Sequence, residues 1–312
     1  MNGERPLGLV LVEMALLVLL GPLVTGTIQK IKARLQCRQG ASVLQPYRDL
    51  AKLLRKGTVQ ADTASGFFRW IPVLVLAATV AAGALVPVVG TGSPALPLGD
   101  ALLLLLLALA RFLTAVGALD AGGAFGGMGA SREMTIAPLV EPVLMMVVFS
   151  TAVAAGTTEL GALAARRGSW IFAWHAADFL GFAAMLVLLP AATGRIPVDN
   201  PDTHLELTML HEGMLLEHSG PGLGCMVLAS HTRQIVTLGL VAALFFPVGA
   251  GYGAGAAGLL LAACAFAAKV LVLATFLALV ESSYAKLRFF RVPQYLSVGF
   301  VCALTALALR IL

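Results

Sequence analysis

Apolar residues run along the chain in eight long blocks, at about residues 6–28, 68–90, 100–121, 136–156, 171–193, 225–248, 253–281 and 292–311. A bilayer core about 30 Å thick is crossed by about 20 apolar helical residues, so each block is long enough to span it. A membrane β-barrel would alternate residue by residue instead. The expected fold is therefore all-α: one polytopic integral-membrane domain over 1–312, with about eight transmembrane helices. The first block carries Glu13, is too long for a signal-peptide core and has no cleavage pattern after it, so it is read as the first span. Between the first two blocks, Leu44, Tyr47, Leu50 and Leu54 recur at helical spacing. Arg48, Lys52, Arg55 and Lys56 lie mostly elsewhere around that wheel. This pattern predicts an amphipathic interfacial helix over 44–57.

Composition narrows the class further. Of 312 residues, 59% are hydrophobic and 12% are charged. The charged share is about half the usual ~25% of a soluble domain. A soluble enzyme, a disordered chain and a secreted disulfide scaffold are excluded. Cys37, Cys225, Cys264 and Cys302 are scattered without a CxxC pair. An iron–sulfur cluster needs about four convergent thiolates, and this spacing gives no sign of that. The net charge of +5 says most through where it falls. Segments 29–67, 122–135, 194–224 and 282–291 hold thirteen Lys and Arg, eight of them in the first; the alternate loops hold Arg166 and Arg167 alone. The positive-inside rule makes the four basic segments the cytoplasmic loops and puts both termini outside.

A charge at the bilayer centre costs about 2.5–3.5 kcal/mol on insertion scales and needs a reason. The apolar blocks hold Glu13, Arg111, Asp120, Glu141, His175, Asp178, His231, Arg233, Lys269 and Glu281. Three clearly internal acids, Glu13, Glu141 and Asp178, balance three bases, Arg111, Arg233 and Lys269. His175 and Asp178 share a helix face. Together with Glu141 of the preceding block they are expected to form one polar cluster, compensated by Arg111, Arg233 or Lys269. The plainer reading is a set of ion pairs that fix helix packing; the functional reading is a hydrated relay for protons or ions. The set favours a relay, because eight helices do not need this many charges merely to pack. Glu141 is read as a relay member and Asp178 as a static partner.

The fifth loop, 194–224, is the most chemical stretch. It sets Asp199, Asp202, Glu206, Glu212 and Glu217 beside His204, His211 and His218. Pro197 and Pro201 break the chain, and Asn200 or Asp202 can cap a helix that runs to about 218. The histidines are seven apart, too wide for one metal ion, so no metal site is expected. A buried row of acids can carry protons with raised pKa values. The leucines and methionines between them argue for burial.

Two runs carry a family resemblance. Lys32-Ala-Arg-Leu-Gln-Cys-Arg-Gln-Gly40 followed by Leu44-Gln-Pro-Tyr-Arg-Asp-Leu-Ala-Lys-Leu-Leu-Arg-Lys56 resembles the first cytoplasmic loop of the complex I subunit 1 family. Gly194-Arg-Ile-Pro-Val-Asp-Asn-Pro, continuing to Leu216-Glu-His-Ser-Gly220, resembles the second signature of that family. The wording Asp199-Asn-Pro-Asp-Thr-His-Leu-Glu206 is closer to the hydrogenase branch, that of formate hydrogenlyase subunit 4 and hydrogenase-4 component C, the membrane subunits of group 4 nickel–iron hydrogenases.

The resemblance covers essentially the whole chain. It implies a non-redox membrane subunit that binds no cofactor itself, with the nickel–iron site and iron–sulfur clusters in partner subunits. Quinone binding is not carried over, because electrons in the hydrogenase branch go to protons. The implied partners are hydrogenase-type small and large subunits, a ferredoxin-like subunit, antiporter-like membrane subunits and membrane lipid, with no nucleic acid, in the cell inner membrane. It also implies an acidic path inward, matched by Glu141, Asp199, Glu206, Glu212 and Glu217. The basic first loop, with Arg34, Arg38 and Arg48, is expected to dock the peripheral arm. The competing readings are a quinone-site subunit of complex I and a stand-alone secondary ion transporter.

Overall fold

A computed structural model of the chain describes residues 6–90, 99–168, 174–200, 210–249 and 256–312. Eleven α-helices follow one another with no strand among the described residues: α1 Leu7–Leu35, α2 Gln45–Leu54, α3 Ile71–Leu85, α4 Gly99–Asp120, α5 Ala124–Ala155, α6 Leu160–Gly168, α7 Ala176–Ala192, α8 His211–Leu215, α9 Gly220–Phe245, α10 Ala256–Ser283 and α11 Val292–Ile311. Six of them, α1, α4, α5, α9, α10 and α11, are long and apolar enough to cross a membrane, and α3 and α7 are shorter apolar helices. The chain is an all-α polytopic membrane protein.

Helix α9 is the most enclosed of the long helices and organises the bundle. It packs against α1, α3 and α10, while α7 and α11 pack with α5 on the other flank and α4 lies between α3 and α5. One core of Leu, Val, Ile and Phe side chains runs through these contacts, including Leu17, Val143, Leu188, Val236, Phe266 and Leu277. In lipid, close helix packing depends on small residues as much as on apolar area. Gly21 of α1 shows this: a Cβ there would lie 2.9 Å from the carbonyl oxygen of His231 on α9.

The structure departs from the hydropathy reading at several ends. Segment 122–135 is not a loop, because α5 starts at Ala124 and carries Arg132 and Glu133 on its N-terminal extension. Its 32 residues would span about 48 Å, more than the hydrocarbon needs. Backbone helix does not stop where hydropathy falls: no proline stands between Ala124 and Thr135, and the helix tolerates Gly126, Gly127 and Gly129 there. The 157–170 segment contains the short α6. The amphipathic helix forms as α2, burying Pro46 and Leu50 while Leu44 and Leu54 stay exposed at its ends. In the fifth loop the described helical residues are the short α8, His211–Leu215, and the first turn of α9 from Gly220. Residues 201–209, with Asp202, His204 and Glu206, lie outside the described residues.

Of the expected cluster, His175 and Asp178 meet, with side-chain atoms 3.8 Å apart, while Glu141 lines a cavity that neither of them borders. Helix α7 begins at Ala176, so His175 is its N-cap and mostly exposed. The Asp178 carboxylate accepts the His175 backbone N–H at 3.0 Å, as first-turn acids do, and pairs with Arg310 at the end of α11. Asp178 thus ties two helix ends together, and Arg111, Arg233 and Lys269 lie elsewhere. Removing one partner of a buried pair costs roughly 3 kcal/mol. Asp178→Asn should lower the melting temperature of the detergent-extracted protein by several degrees, and adding Arg310→Gln should recover part of the loss. An unchanged melting curve for the single variant would show that the pair contributes nothing.

Candidate functional site

The end of the bundle that carries the basic first and fifth loops, called the inner end for that reason alone, is built around one buried acid. Glu281, 2% exposed near the end of α10, faces two cations. Arg195 reaches its Oε1 at 3.2 Å and Lys32 of α1 reaches its Oε2 at 3.3 Å. Arg195 also donates to Gln234 Oε1 at 3.1 Å, and Thr25 donates to the same oxygen at 2.8 Å. Four segments far apart in sequence converge here: α1, the turn after α7, α9 and α10. Beside it, Lys286 pairs with Asp199 at 2.8 Å. The other Asp199 oxygen accepts the backbone N–H of His211 at 3.0 Å and so fixes the start of α8.

Halfway along the bundle lies a second group. Arg111 of α4 pairs with Glu133 of α5 at 3.2 Å. Arg233 of α9 lines a cavity of about 230 Å³ between α4, α5 and α9, together with Arg111 and Glu141. The remaining walls are apolar, among them Leu104, Leu105, Leu144 and Met145. On the far side of Arg233 is a space of about 10 Å³ bounded by Thr79, Thr114, His211 and Ser230. That is about the room one water needs. Among the described residues, the buried Arg111 Nη1 and His211 Nε2 have no hydrogen-bond partner. Neither Arg233 nor Glu141 has an ion-pair partner among them. Asp199 thus meets His211 at its backbone, His211 and Arg233 bound the same small space, and Arg233 also lines the cavity that holds Glu141.

The sequence-predicted residues distribute as follows. Asp199 belongs to the inner group and Glu141 to the cavity. Glu212 is half-buried at the start of α8, and the Glu217 carboxylate lies against Gly123, the N-cap of α5, where a Cβ would come within 2.2 Å of its Oε1. Lys269 acts as a helix cap, donating to the carbonyls of Phe246 and Val248 at 3.0 and 2.9 Å just past α9. Arg34, Arg38 and Arg48 are exposed around α2. Sequence reasoning missed Lys32, Glu133, Arg195, Gln234 and Glu281 as network members. Arg195 stood inside the Gly-Arg-Ile-Pro-Val-Asp run, which was the available signal; the others depend on partners up to 209 residues apart.

Outside the membrane-spanning helices, two histidines are held neutral. Burial first, and then the nearby Arg233, Arg111 and His231, push His211 down to about 3. Burial pushes His218 down to about 4, where its ring stacks on Phe68 with centroids 4.4 Å apart. Ser219 next to it exchanges hydrogen bonds with the Val59 backbone, donating to its carbonyl and accepting its N–H at 2.7 Å. The fifth loop is thereby stitched to the first. No group of His, Cys, Asp and Glu that could hold a metal ion occurs among the described residues.

A bundle of this kind, with buried charge networks at its inner end and middle, defines a membrane subunit built to house ionisable groups. The chain matches the NADH dehydrogenase family over residues 7–311 and belongs to it. It is 34% identical over 297 residues to formate hydrogenlyase subunit 4 of Escherichia coli K12, covering 95% of this chain and 96% of that protein. It is also 34% identical to hydrogenase-4 component C of the same organism, over 96% and 93% of the two chains. A 30% match over 227 residues, 66% of this chain and 60% of the other, joins it to an NADH-quinone oxidoreductase subunit of Paraburkholderia xenovorans LB400. A chain in the structure of the membrane-bound sulfane sulfur reductase, an archaeal respiratory membrane complex, shares the fold with a TM-score of 0.79. That likeness covers 95% of this chain and 98% of the other at 20% identity.

The neutral histidines set a pH dependence. Their folded pKa values lie below the unfolded value of about 6.5, so the unfolded chain takes up protons first as pH falls. Stability is complete above about 6.5 and is lost as pH falls toward about 4 through His218 and about 3 through His211. His218→Phe keeps the ring stack and removes the titration. It should flatten the fall in melting temperature between pH 6.5 and about 4, whereas equal slopes in both proteins would rule out His218 as a source.

Proposed function

We propose that this chain is the membrane anchor and ion-coupling subunit of a membrane-bound, hydrogenase-like oxidoreductase related to complex I. Its inner loops dock the peripheral electron-transfer arm, and its intramembrane charges link redox chemistry there to movement of protons or cations. The full-length relationship to two hydrogenase-complex subunits supports this assignment. The observation that carries the docking half is the exposed basic shelf. Arg34, Arg38, Arg48, Lys52, Arg55 and Lys56 project around α2, while Pro46 and Leu50 seat that helix on α1 and α9. Tyr47 adds a hydrogen bond to the Leu19 carbonyl of α1. A fixed row of cations steers an acidic protein surface better than it fixes lipid, because it presents charge in one geometry.

In this reading the basic loops face the cytoplasm and both termini lie on the outer side of the inner membrane. The nickel–iron site and iron–sulfur clusters belong to the hydrogenase-type and ferredoxin-like partners. The Asp199–His211–Arg233 run leads from the docking face to Glu141, and Glu141 is the group that changes protonation. Paired acids such as Glu281 and Asp178 hold the frame.

Reversing Arg34, Arg38 and Arg48 to Glu should release most of the soluble subunits from washed membranes while this chain stays inserted. Full retention of those subunits would remove the docking assignment. Glu141→Gln keeps shape and removes ionisation, so the complex should assemble while redox-driven proton or cation uptake in vesicles falls by about tenfold or more. Normal uptake with that variant would take Glu141 out of the path.

A further inference from the structure

After α10 the chain makes a short turn and enters α11. The two helices pack on different neighbours, α10 on α1 and α9, α11 on α5 and α7. The linker between them is held in place. Lys286 pairs with Asp199 at 2.8 Å, the Leu287 N–H donates to the Pro197 carbonyl at 2.9 Å, and the Phe289 ring packs against the main core. Alternating with these anchors, Arg288, Phe290 and Arg291 are exposed, Phe290 by 87%. The Arg291 N–H donates to the Arg288 carbonyl at 2.8 Å and closes one turn of 3₁₀-helix, Phe289–Arg291. Such a turn brings residues i and i+3 onto one side, about 6 Å apart along its axis. The two guanidinium groups can therefore reach one anion.

Neither arginine has a counter-charge of its own. No Asp or Glu follows Glu281 in the sequence, and neither Arg288 nor Arg291 has an ion-pair partner among the described residues. A ring as exposed as that of Phe290 is unfavourable in water and suited to the boundary between headgroups and acyl chains. Directly after Arg291 the chain enters the apolar α11. Val298 and Leu309 lie seven and eighteen residues on, within about 20° of Arg291 around the helix, and Val301 is at the edge of the same face. All three are exposed. Ser297 and Thr305 turn their hydroxyls back onto their own helix, donating to the Gln294 and Val301 carbonyls at 2.7 and 2.8 Å. Beyond Gln294, one turn from Arg291, the face therefore offers a neighbour only hydrocarbon. A transmembrane helix would find no polar group there to fix its register. A soluble partner would meet arginines joined directly to the start of a span. A phospholipid matches both halves. Its phosphate meets the arginine pair, and its tail, about half the core or 15 Å long, passes Val298 and Val301 at about 10 and 15 Å from Arg291.

We propose that the turn between α10 and α11, with the adjoining face of α11, is a binding site for one anionic phospholipid. Arg288 and Arg291 hold its phosphate, and an acyl chain lies along Phe290, Val298 and Val301. Arginine takes phosphate through two parallel N–H donors, and a pinned turn presents two such forks in one geometry. That separates this lipid from those that exchange freely around the bundle. An anionic headgroup is preferred to a zwitterionic one, because the second brings a cation up to two arginines that have no acid beside them. The bound lipid also braces the linker that sets Lys286 on Asp199. The site requires only that the chain is inserted in a membrane, so it stands apart from the subunit reading above.

The test uses the full chain, extracted in mild detergent and washed free of lipid. It is titrated with dioleoylphosphatidylglycerol, with dioleoylphosphatidylcholine and with inorganic phosphate, and bound lipid is counted by native mass spectrometry. Phosphatidylglycerol should bind at one site about tenfold or more tightly than phosphatidylcholine. Equimolar inorganic phosphate should not displace it. Arg288→Gln with Arg291→Gln should abolish the preference. Arg288→Lys with Arg291→Lys should keep most of it, since lysine also binds phosphate, as a point charge. Arg69→Gln, at an exposed arginine just before α3, should leave the preference intact. Equal binding of the two lipids, full displacement by equimolar phosphate, an equal loss with Arg69→Gln, or a preference that survives the double Gln variant would each overturn the proposal. So would a double Gln variant that melts lower than the parent before lipid is added, because the arginines would then serve the fold. Release of soluble subunits from washed membranes by the double Gln variant would assign the two arginines to the peripheral arm and overturn the lipid site. The first-loop reversals are read on other residues, so either idea can fail without the other.

Discussion

Glu281 is the contact on which the inner half of the molecule depends. An ionised carboxylate taken out of water loses several kcal/mol of solvation even after relaxation, and one cation seldom restores it fully. Here Arg195 and Lys32 address its two oxygens from opposite sides of the chain. The arginine then needs acceptors of its own, and Gln234 supplies one; Gln234 in turn takes a hydrogen bond from Thr25. Each group is tolerable because of the next, so α1, α9, α10 and the turn after α7 are held in one relative position. Hydrophobic packing alone would let these helices slide, since lipid tails satisfy apolar surface as well as a neighbouring helix does. The network fixes register, and with it the position of Asp199, α8 and His211.

Charge in this protein is sorted by depth. At the outer ends, Glu13 accepts the Val89 and Gly90 N–H groups at 2.8 and 2.9 Å, Lys269 caps α9, and Asp178 ties α7 to α11. These groups complete helix ends and turns that would otherwise bury unsatisfied backbone, the dominant constraint inside a bilayer. At the inner end, Lys32, Arg195 and Lys286 meet Glu281 and Asp199. In the middle layer Arg111, Arg233 and Glu141 face a shared cavity. A neutral His211 separates the inner network from this layer, so a proton does not reside there at neutral pH.

Much of the architecture was legible because hydrocarbon imposes a strong, local constraint. Twenty apolar residues announce a span wherever they fall, and the spacing of Tyr47 and Leu50 announced α2. The errors share one cause. Hydropathy marks where lipid is, and the backbone helix ends where capping and breakers end it. Glu133 therefore read as a loop residue although it sits on α5, and Asp178 read as a membrane-centre acid although it is a first-turn residue of α7. Pairing was the least legible layer. Arg195 and Glu281 stand 86 residues apart, and nothing in either local sequence names the other. A tally of three acids against three bases suggested internal neutrality, but the observed partners are Arg310, Glu133 and backbone carbonyls instead.

The distribution also separates structural charge from functional charge by a physical criterion. An acid whose oxygens are both engaged, as those of Glu281 and Asp178 are, gives up its partners' compensation when it is protonated, and the loss is felt as stability. Such a group is a poor carrier because each cycle would loosen the frame. An acid in a cavity wall with no ion pair among the described residues is not locked into the frame in that way. Glu141 meets that description, and Arg233 across the same cavity supplies a positive field without locking the carboxylate into one contact. Evolution of a rigid bundle around one loosely held acid is what coupling requires. On the function proposed above, the frame would carry a displacement of the loops to the cavity that Glu141 lines.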